Sequence, residues 1–149
     1  MSTVAATRPA TSALGRTLLV GLLAGLTAGV ANVVVFFLSQ AIFSLPYLMP
    51  MGGPGSTPVP LPFVAVIISC VIPALLAAVL YWALGRFTRR ATAIFVGIAV
   101  AFTLLSLFPS LSLPPDLGTR LGLSFMHLVA APIITLGLVR YAPQSQRRR

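Results

Sequence analysis

The sequence contains very little charge. Of its 149 residues 7% are charged, with a single acid, Asp116, and no lysine. A soluble domain carries roughly a quarter of its residues as charged side chains, so the composition excludes a water-soluble globular enzyme and a disordered tail alike. With 58% hydrophobic residues and a mean hydropathy of +1.02, the sequence predicts an integral membrane protein.

Cysteines and acids are too few for most site chemistry. The single cysteine, Cys70, cannot form an internal disulfide, a CxxC redox pair or a multi-cysteine zinc site. Sulfur ligands for copper are available in principle in Met49, Met51, Cys70 and Met126, but no two stand at ligand spacing. Paired carboxylates and a serine-histidine-acid set are also lacking. We therefore predict that the protein is not an enzyme and needs no metal or cofactor.

Apolar runs long enough to cross a bilayer recur along the chain. A hydrocarbon core about 30 Å thick needs about 20 apolar helical residues. Four runs qualify, with Pro109 predicted to end the third: 18–42, 62–84, 91–108 and 118–139. The first is longer than the apolar part of a cleaved signal peptide. The predicted fold is all-α, a four-helix membrane bundle over residues 17–141, with an N-terminal tail (1–16) and a basic C-terminal tail (142–149).

The arginines predict the orientation of the bundle. With Arg140 counted with the C-terminal tail, nine of the ten lie in the two tails or between the second and third runs, and only Arg120 lies on the other side. Basic residues resist translocation, so both termini are predicted to be cytoplasmic. Arginine without lysine is typical of GC-rich coding sequences and suggests a bacterial inner membrane protein.

The net charge of +9 does not predict nucleic-acid binding. The arginines stand at the ends of apolar runs without interleaved aromatic residues on which bases could stack. Arg147, Arg148 and Arg149 follow the last run closely, where anionic lipid would attract each by about 1 kcal/mol. The bilayer is therefore the first predicted partner.

The two outer loops are rich in proline. The segment 44–60 contains five prolines and no charge, which excludes regular helix. Its apolar side chains, Tyr47 among them, predict a loop that folds over the bundle or lies in the headgroup layer. In the second outer loop, Asp116 precedes Arg120 by one helical turn and is expected to pair with it.

Small residues form a stripe in the first run. Gly21, Gly25 and Gly29 recur every four residues, so one helical face would let another backbone approach closely. Two partners fit this stripe: another helix of the same chain, or a second copy in a homo-oligomer.

Polar residues recur at similar depth in all four runs. We predict a cluster near the bilayer midplane, formed by Asn32, Ser69, Thr103, Ser124 and His127. Pro73 and Pro132 add probable kinks there, because proline leaves the carbonyl four residues earlier without its donor.

His127 is the first candidate for function, since ionisable residues inside a membrane are costly. A neutral imidazole would donate one hydrogen bond and accept another. Three roles stay open: a hydrogen bond between helices, the lining of a pocket or conduction path, and ligation of heme or metal.

Three stretches carry a family resemblance: 31–33 (Ala-Asn-Val), 86–90 (Arg-Phe-Thr-Arg-Arg) and 126–134 (Met-His-Leu-Val-Ala-Ala-Pro-Ile-Ile). From about residue 16 to 140 the chain resembles a largely actinobacterial family of four-pass membrane proteins classed as a domain of unknown function. The resemblance implies a fold and a location, and brings no activity or catalytic residues.

Function is predicted only by class. A structural or accessory membrane protein with a lipid or membrane-protein partner fits best. The alternative is a small transporter or channel with a midplane site around His127. A small multidrug exporter would need an acid in the membrane, whereas Asp116 lies in a loop. A dual-orientation fluoride channel would need a weaker arginine bias.

Overall fold

The computed structural model describes residues 12–50, 52 and 55–143. Four helices occupy most of this part of the chain: α1 Ala13–Phe43, α2 Phe63–Phe87, α3 Ala91–Ser112 and α4 Leu117–Tyr141. Each is long and apolar enough to cross a membrane, judged by length and composition. The predicted all-α, four-helix fold class is confirmed.

Two of the helices begin at side-chain caps. The hydroxyl of Ser12 accepts a hydrogen bond from the amide of Gly15 at 3.1 Å, and Asp116 Oδ1 accepts one from the amide of Thr119 at 2.7 Å. These bonds satisfy amides that have no partner within their helices. The caps explain why α1 begins at Ala13 and not near residue 18, and why α4 begins directly after Asp116.

Pro109 does not end α3, which continues to Ser112. The expected end at residue 108 is therefore wrong. Proline has a helical φ and lacks only its own N–H, so the helix loses the bond to the carbonyl of Leu105 and continues. The next turn closes normally, with the amide of Leu113 donating to the carbonyl of Pro109 at 3.0 Å.

The helices run up and down, so that two sets of ends meet. At one end of the bundle, α1 and α3 begin and α2 and α4 end. These four helix ends are joined by a cluster around Ala78, Tyr81, Phe95 and Leu138. We call this end of the bundle the arginine end, because five arginines lie in or beside it: Arg16, Arg86, Arg89, Arg90 and Arg140. The opposite, loop end is packed around Phe36, Tyr47, Val66 and Met126.

The glycine stripe of α1 faces α2 of the same chain. A Cβ on Gly21 would stand 2.6 Å from the Cβ of Ala78, and one on Gly25 would stand 2.8 Å from the Cβ of Ala74. Helices can approach this closely only where side chains are absent or small. Of the two partners predicted for the stripe, the structure places the intrachain helix there.

The proline-rich loop folds back onto the bundle. Two short strands, β1 Leu48–Met49 and β2 Val59–Pro60, pair antiparallel, with Leu48 opposite Pro60. Just before β1, Tyr47 takes a positive φ of 44° and is completely buried. Its ring therefore fills space between the helices.

Tyr47 fits where a helix surface leaves room. Its ring stacks on Phe36 with centroids 4.6 Å apart, and its hydroxyl lies 2.6 Å from that of Ser39. On the other side, a Cβ on Gly122 would stand 2.5 Å from the Tyr47 hydroxyl. The loop is thus attached to both α1 and α4.

Several sequence predictions concern residues outside the described part. These residues are 1–11 of the N-terminal tail with Arg8, the C-terminal Arg147, Arg148 and Arg149, and the proposed sulfur ligand Met51.

Candidate functional site

A cavity of about 410 Å³ lies between α2, α3 and α4. Only two residues of α3 are buried: Phe95 near the arginine end, which stacks on Tyr81, and Ser110 near the loop end, which meets His127. Between these two contacts the cavity separates α3 from α2. Its wall is mainly apolar, with Leu80 among its members.

Three members of the predicted midplane cluster line this cavity: Ser69 from α2, Thr103 from α3 and His127 from α4. Sequence reasoning missed two further polar members, Ser106 and Thr135. A helical projection could have found both, because Ser106 follows Thr103 by three residues and Thr135 follows His127 by eight.

Three of the four hydroxyl groups of the wall donate to their own helices. Ser69 donates to the carbonyl of Val66 at 2.9 Å, and Thr103 to that of Ala99 at 2.7 Å. Ser106 donates to the carbonyl of Thr103 at 2.7 Å. Such bonds let hydroxyl side chains lie in apolar surroundings without an unpaired proton.

His127 is fixed by its Nδ1 atom. This nitrogen lies 2.8 Å from the carbonyl oxygen of Leu123, one turn earlier, and 3.4 Å from the hydroxyl of Ser110 on α3. The two contacts hold the ring at the loop end of the cavity, whose wall it joins. His127 therefore both links α3 to α4 and lines a cavity, so two of its three predicted roles describe one position.

Asn32 lies beside the cavity and not in it. Its side chain is buried among α1, α2 and α4, where Nδ2 donates to the carbonyl of Met126 at 3.0 Å and contacts the Cys70 sulfur at 3.4 Å. Cys70 in turn lines the cavity. The amide thus joins three helices, and only Cys70 separates it from the cavity.

Ser124 is not part of the cavity wall. Its hydroxyl is buried and has no hydrogen-bond partner among the described residues, which is also true of Asn32 Oδ1. The five predicted residues therefore form a cavity group of three, Ser69, Thr103 and His127, and two separate buried positions.

The expected pairing of Asp116 with Arg120 is wrong in its geometry. Asp116 caps α4 through Thr119, while Nε of Arg120 donates to the carbonyl of Pro114 at 2.8 Å. Burial by itself raises the pKa of Asp116. Hydrogen bonds with Thr119 and the nearby charge of Arg120 lower this pKa by more than burial raises it, so it lies below its ordinary value. The arginine acts on the carboxylate through its charge.

Metal binding has no geometric support in the described residues: no three of their histidines, cysteines and acids lie together as a possible ligand set. Heme or metal ligation by His127 stays a prediction.

One family model matches the chain. It is described as "Family of unknown function (DUF6069)" and covers residues 12–144. Comparisons with curated proteins and with solved structures find no match. The matched range contains all four helices and every residue of the cavity wall.

Proposed function

The chain belongs to the DUF6069 family of unknown function, and from this premise we propose that it is an accessory membrane protein that holds an apolar chain in the cavity between α2, α3 and α4. Four candidate membrane spans suggest a multi-pass membrane protein. A cavity halfway along those spans takes its ligand from hydrocarbon and not from water.

The cavity itself is the observation that supports this proposal. At about 410 Å³ it falls within the range of small-molecule sites, roughly 300–1,000 Å³, and such sites combine an apolar wall with a few polar groups. Close packing leaves few voids of this size in a folded protein, and an apolar one inside a bilayer would be filled by lipid chains or by a ligand of similar character.

Orientation and location are part of the proposal. The five described arginines of the arginine end favour a cytoplasmic position for that end, since basic residues resist translocation. Both termini would then be cytoplasmic, and the membrane would be the inner membrane of a bacterium. We propose no enzymatic activity, cofactor or nucleic-acid partner.

Site-resolved photo-crosslinking tests the proposal. The protein is reconstituted in nanodiscs with a phospholipid that carries a diazirine in its acyl chain, and labelled residues are mapped by mass spectrometry. We expect cavity-lining positions such as Ala99 and Ala130 to be labelled more strongly than residues on the outer face. Uniform labelling around the bundle would contradict the proposal.

A matched pair of variants on α3 sharpens this test. Ala99→Phe places a ring in the cavity, whereas Ala101→Phe adds the same ring on the exposed side of the helix. We expect the first to reduce cavity labelling severalfold and the second to leave it unchanged. Reaction of the buried thiol of Cys70 with a maleimide dye, followed during heating, verifies that both variants fold.

The second candidate function is a small transporter or channel. It is favoured by one observation, the presence of His127 on the cavity wall. Proton flux into liposomes, measured with a pH-sensitive dye for the wild type and for His127→Leu, tests it. Equal flux from both proteins and from empty liposomes would remove this candidate.

A further inference from the structure

Most of the hydroxyl groups on the cavity wall have already donated their protons. The hydroxyls of Ser69, Thr103 and Ser106 each donate to a backbone carbonyl of their own helix. A hydroxyl has a single proton to donate but two lone pairs to accept with. These three groups therefore offer the cavity acceptor sites only.

His127 adds a stronger acceptor. A carbonyl oxygen can only accept, so the 2.8 Å contact between Nδ1 and the carbonyl of Leu123 requires the proton to be on Nδ1. In the neutral ring the other nitrogen, Nε2, then carries a lone pair. Nε2 has no hydrogen-bond partner among the residues that the structure describes, and the ring lines the cavity.

A fifth acceptor comes from the backbone. Pro73, also on the wall, has no N–H, so the carbonyl of Ser69 lacks its donor four residues later. One group can act either way: the hydroxyl of Thr135, for which no hydrogen bond is found among the described residues. The polar inventory of the cavity is thus mostly acceptors.

We infer that the cavity selects a lipophilic alcohol, whose hydroxyl donates a hydrogen bond to Nε2 of His127 while its apolar chain lies along Leu80 and Phe95. This inference rests on the proposed function and names the ligand's chemistry. An acceptor in hydrocarbon gains most from a ligand that brings its own proton, because no water is present to supply one. Ethers and esters bring none, and an ammonium group carries a charge that is costly at this depth.

Paired probes test the inference. A photoreactive hexadecanol and its methyl ether share the same chain. They differ in that a methyl group replaces the hydroxyl proton in the ether. In nanodiscs at equal concentration, we expect the alcohol to label the cavity of the wild type about two- to tenfold more than the ether, the range for one net hydrogen bond. Unlabelled hexadecanol and a diacylglycerol are competitors, and the stronger one shows whether the source is a free alcohol or a bilayer lipid.

Variants of His127 assign the preference to this residue. His127→Leu should make labelling by the alcohol equal to labelling by the ether, whereas His127→Gln keeps an acceptor and should retain part of the preference. Leu136→Gln, which changes an exposed residue of the same helix, is the control. If His127→Leu does not fold, the ratio of alcohol labelling to ether labelling in the wild type still tests whether the cavity prefers an alcohol.

The single histidine permits a direct readout. The protein is labelled with ¹⁵N-histidine, purified without a histidine tag and studied by NMR. We expect one protonated nitrogen, Nδ1, and one unprotonated nitrogen, Nε2. The resonance of Nε2 should shift when hexadecanol is added and not when the ether is added.

Two outcomes would overturn the inference in different ways. Equal labelling by alcohol and ether, with no shift of Nε2, refutes the selection of an alcohol and leaves the cavity as a general lipid site. Absence of cavity labelling by either probe refutes the proposed function along with it.

Discussion

At Gly25 the backbones of α1 and α2 are so close that a methyl group has no room. A Cβ there would lie 2.9 Å from the Cα of Val71 and 2.8 Å from the Cβ of Ala74, and backbone atoms cannot step aside. Gly97 on α3 has nothing within 4 Å of such a Cβ. The two glycines are alike in sequence context but differ in what they touch.

We predict that Gly25→Ala destabilises the protein by about 1–3 kcal/mol, the usual cost of overpacking, while Gly97→Ala leaves stability unchanged or raises it by up to about 1 kcal/mol, because alanine favours a helix interior more than glycine does. The stability of both variants is measured by thermal unfolding in detergent, with maleimide labelling of the buried Cys70 as the signal of unfolding. Similar stability for the two variants would contradict the close approach of α1 and α2.

Asp116 makes stability depend on pH. Its pKa is lowered in the folded protein from the ordinary value of 3.8, so the carboxylate stabilises the fold fully above that value and loses this effect as pH falls through the lower folded pKa. Asp116→Ala should cost about 0.5–2 kcal/mol at neutral pH, as loss of a helix cap does.

The matched variant is Asp116→Asn, which keeps a capping oxygen without the titrating group. Thermal unfolding is measured from about pH 6 down to the most acidic pH that the detergent allows, in steps of about one pH unit. We expect this variant to lose less stability over that range than the wild type does. Parallel curves would mean that Asp116 has no lowered pKa.

At the level of residues, the sequence indicates which side chains need a partner but not who the partner is. Asn32 is recognisable as an amide in an apolar run. Its partner, the carbonyl of Met126, is 94 positions away, and no local pattern encodes that contact. The burial of Tyr47 was not predictable for the same reason, because it depends on the space beside Gly122 on another helix.

Among the elements, the loop between α1 and α2 depends on one side chain. Tyr47 packs against Phe36 and Gly122 and shares a hydrogen bond with Ser39, and its carbonyl accepts from the amide of Leu61 at 2.9 Å. The short hairpin that follows has only two residues in each strand and cannot be stable by itself.

We predict that Tyr47→Ala costs about 3–5 kcal/mol, as other losses of a buried aromatic ring do, and releases the loop. Hydrogen exchange at the amide of Leu61, which is bonded to the Tyr47 carbonyl, should become faster. The control, Tyr141→Ala, removes a tyrosine that is 73% exposed and should change neither quantity. Unchanged exchange in Tyr47→Ala would show that the hairpin needs no such anchor.

Helix ends were harder to predict than helix number. Hydropathy locates four apolar runs because the bilayer sets their length. It does not register the polar first turn of α1 from Ala13 to Thr17 or the extension of α3 past Pro109, which depend on a cap and on the helical φ of proline. The cavity was not predictable either, since it follows from how far α3 stands from α2.

For the whole molecule, the arginines predict the topology. Reporters fused to the C-terminus should show cytoplasmic activity: a fluorescent protein that needs the cytoplasm should fluoresce, and alkaline phosphatase, which needs the periplasm, should be inactive. A fusion placed after Thr57, in the loop between α1 and α2, is the control and should give the reverse. The same pattern at both positions would contradict four crossings.

The helices of the bundle are packed unevenly. α1, α2 and α4 are joined by the glycine contacts of α1 with α2, by the fit of Gly137 against Ala24, and by the hydrogen bond of Asn32 to Met126. α3, in contrast, buries only Phe95 and Ser110. Because so little of α3 is buried, moving its middle away from α2 would cost less than separating any other helix, and the proposed apolar chain would then enter the cavity sideways from the bilayer.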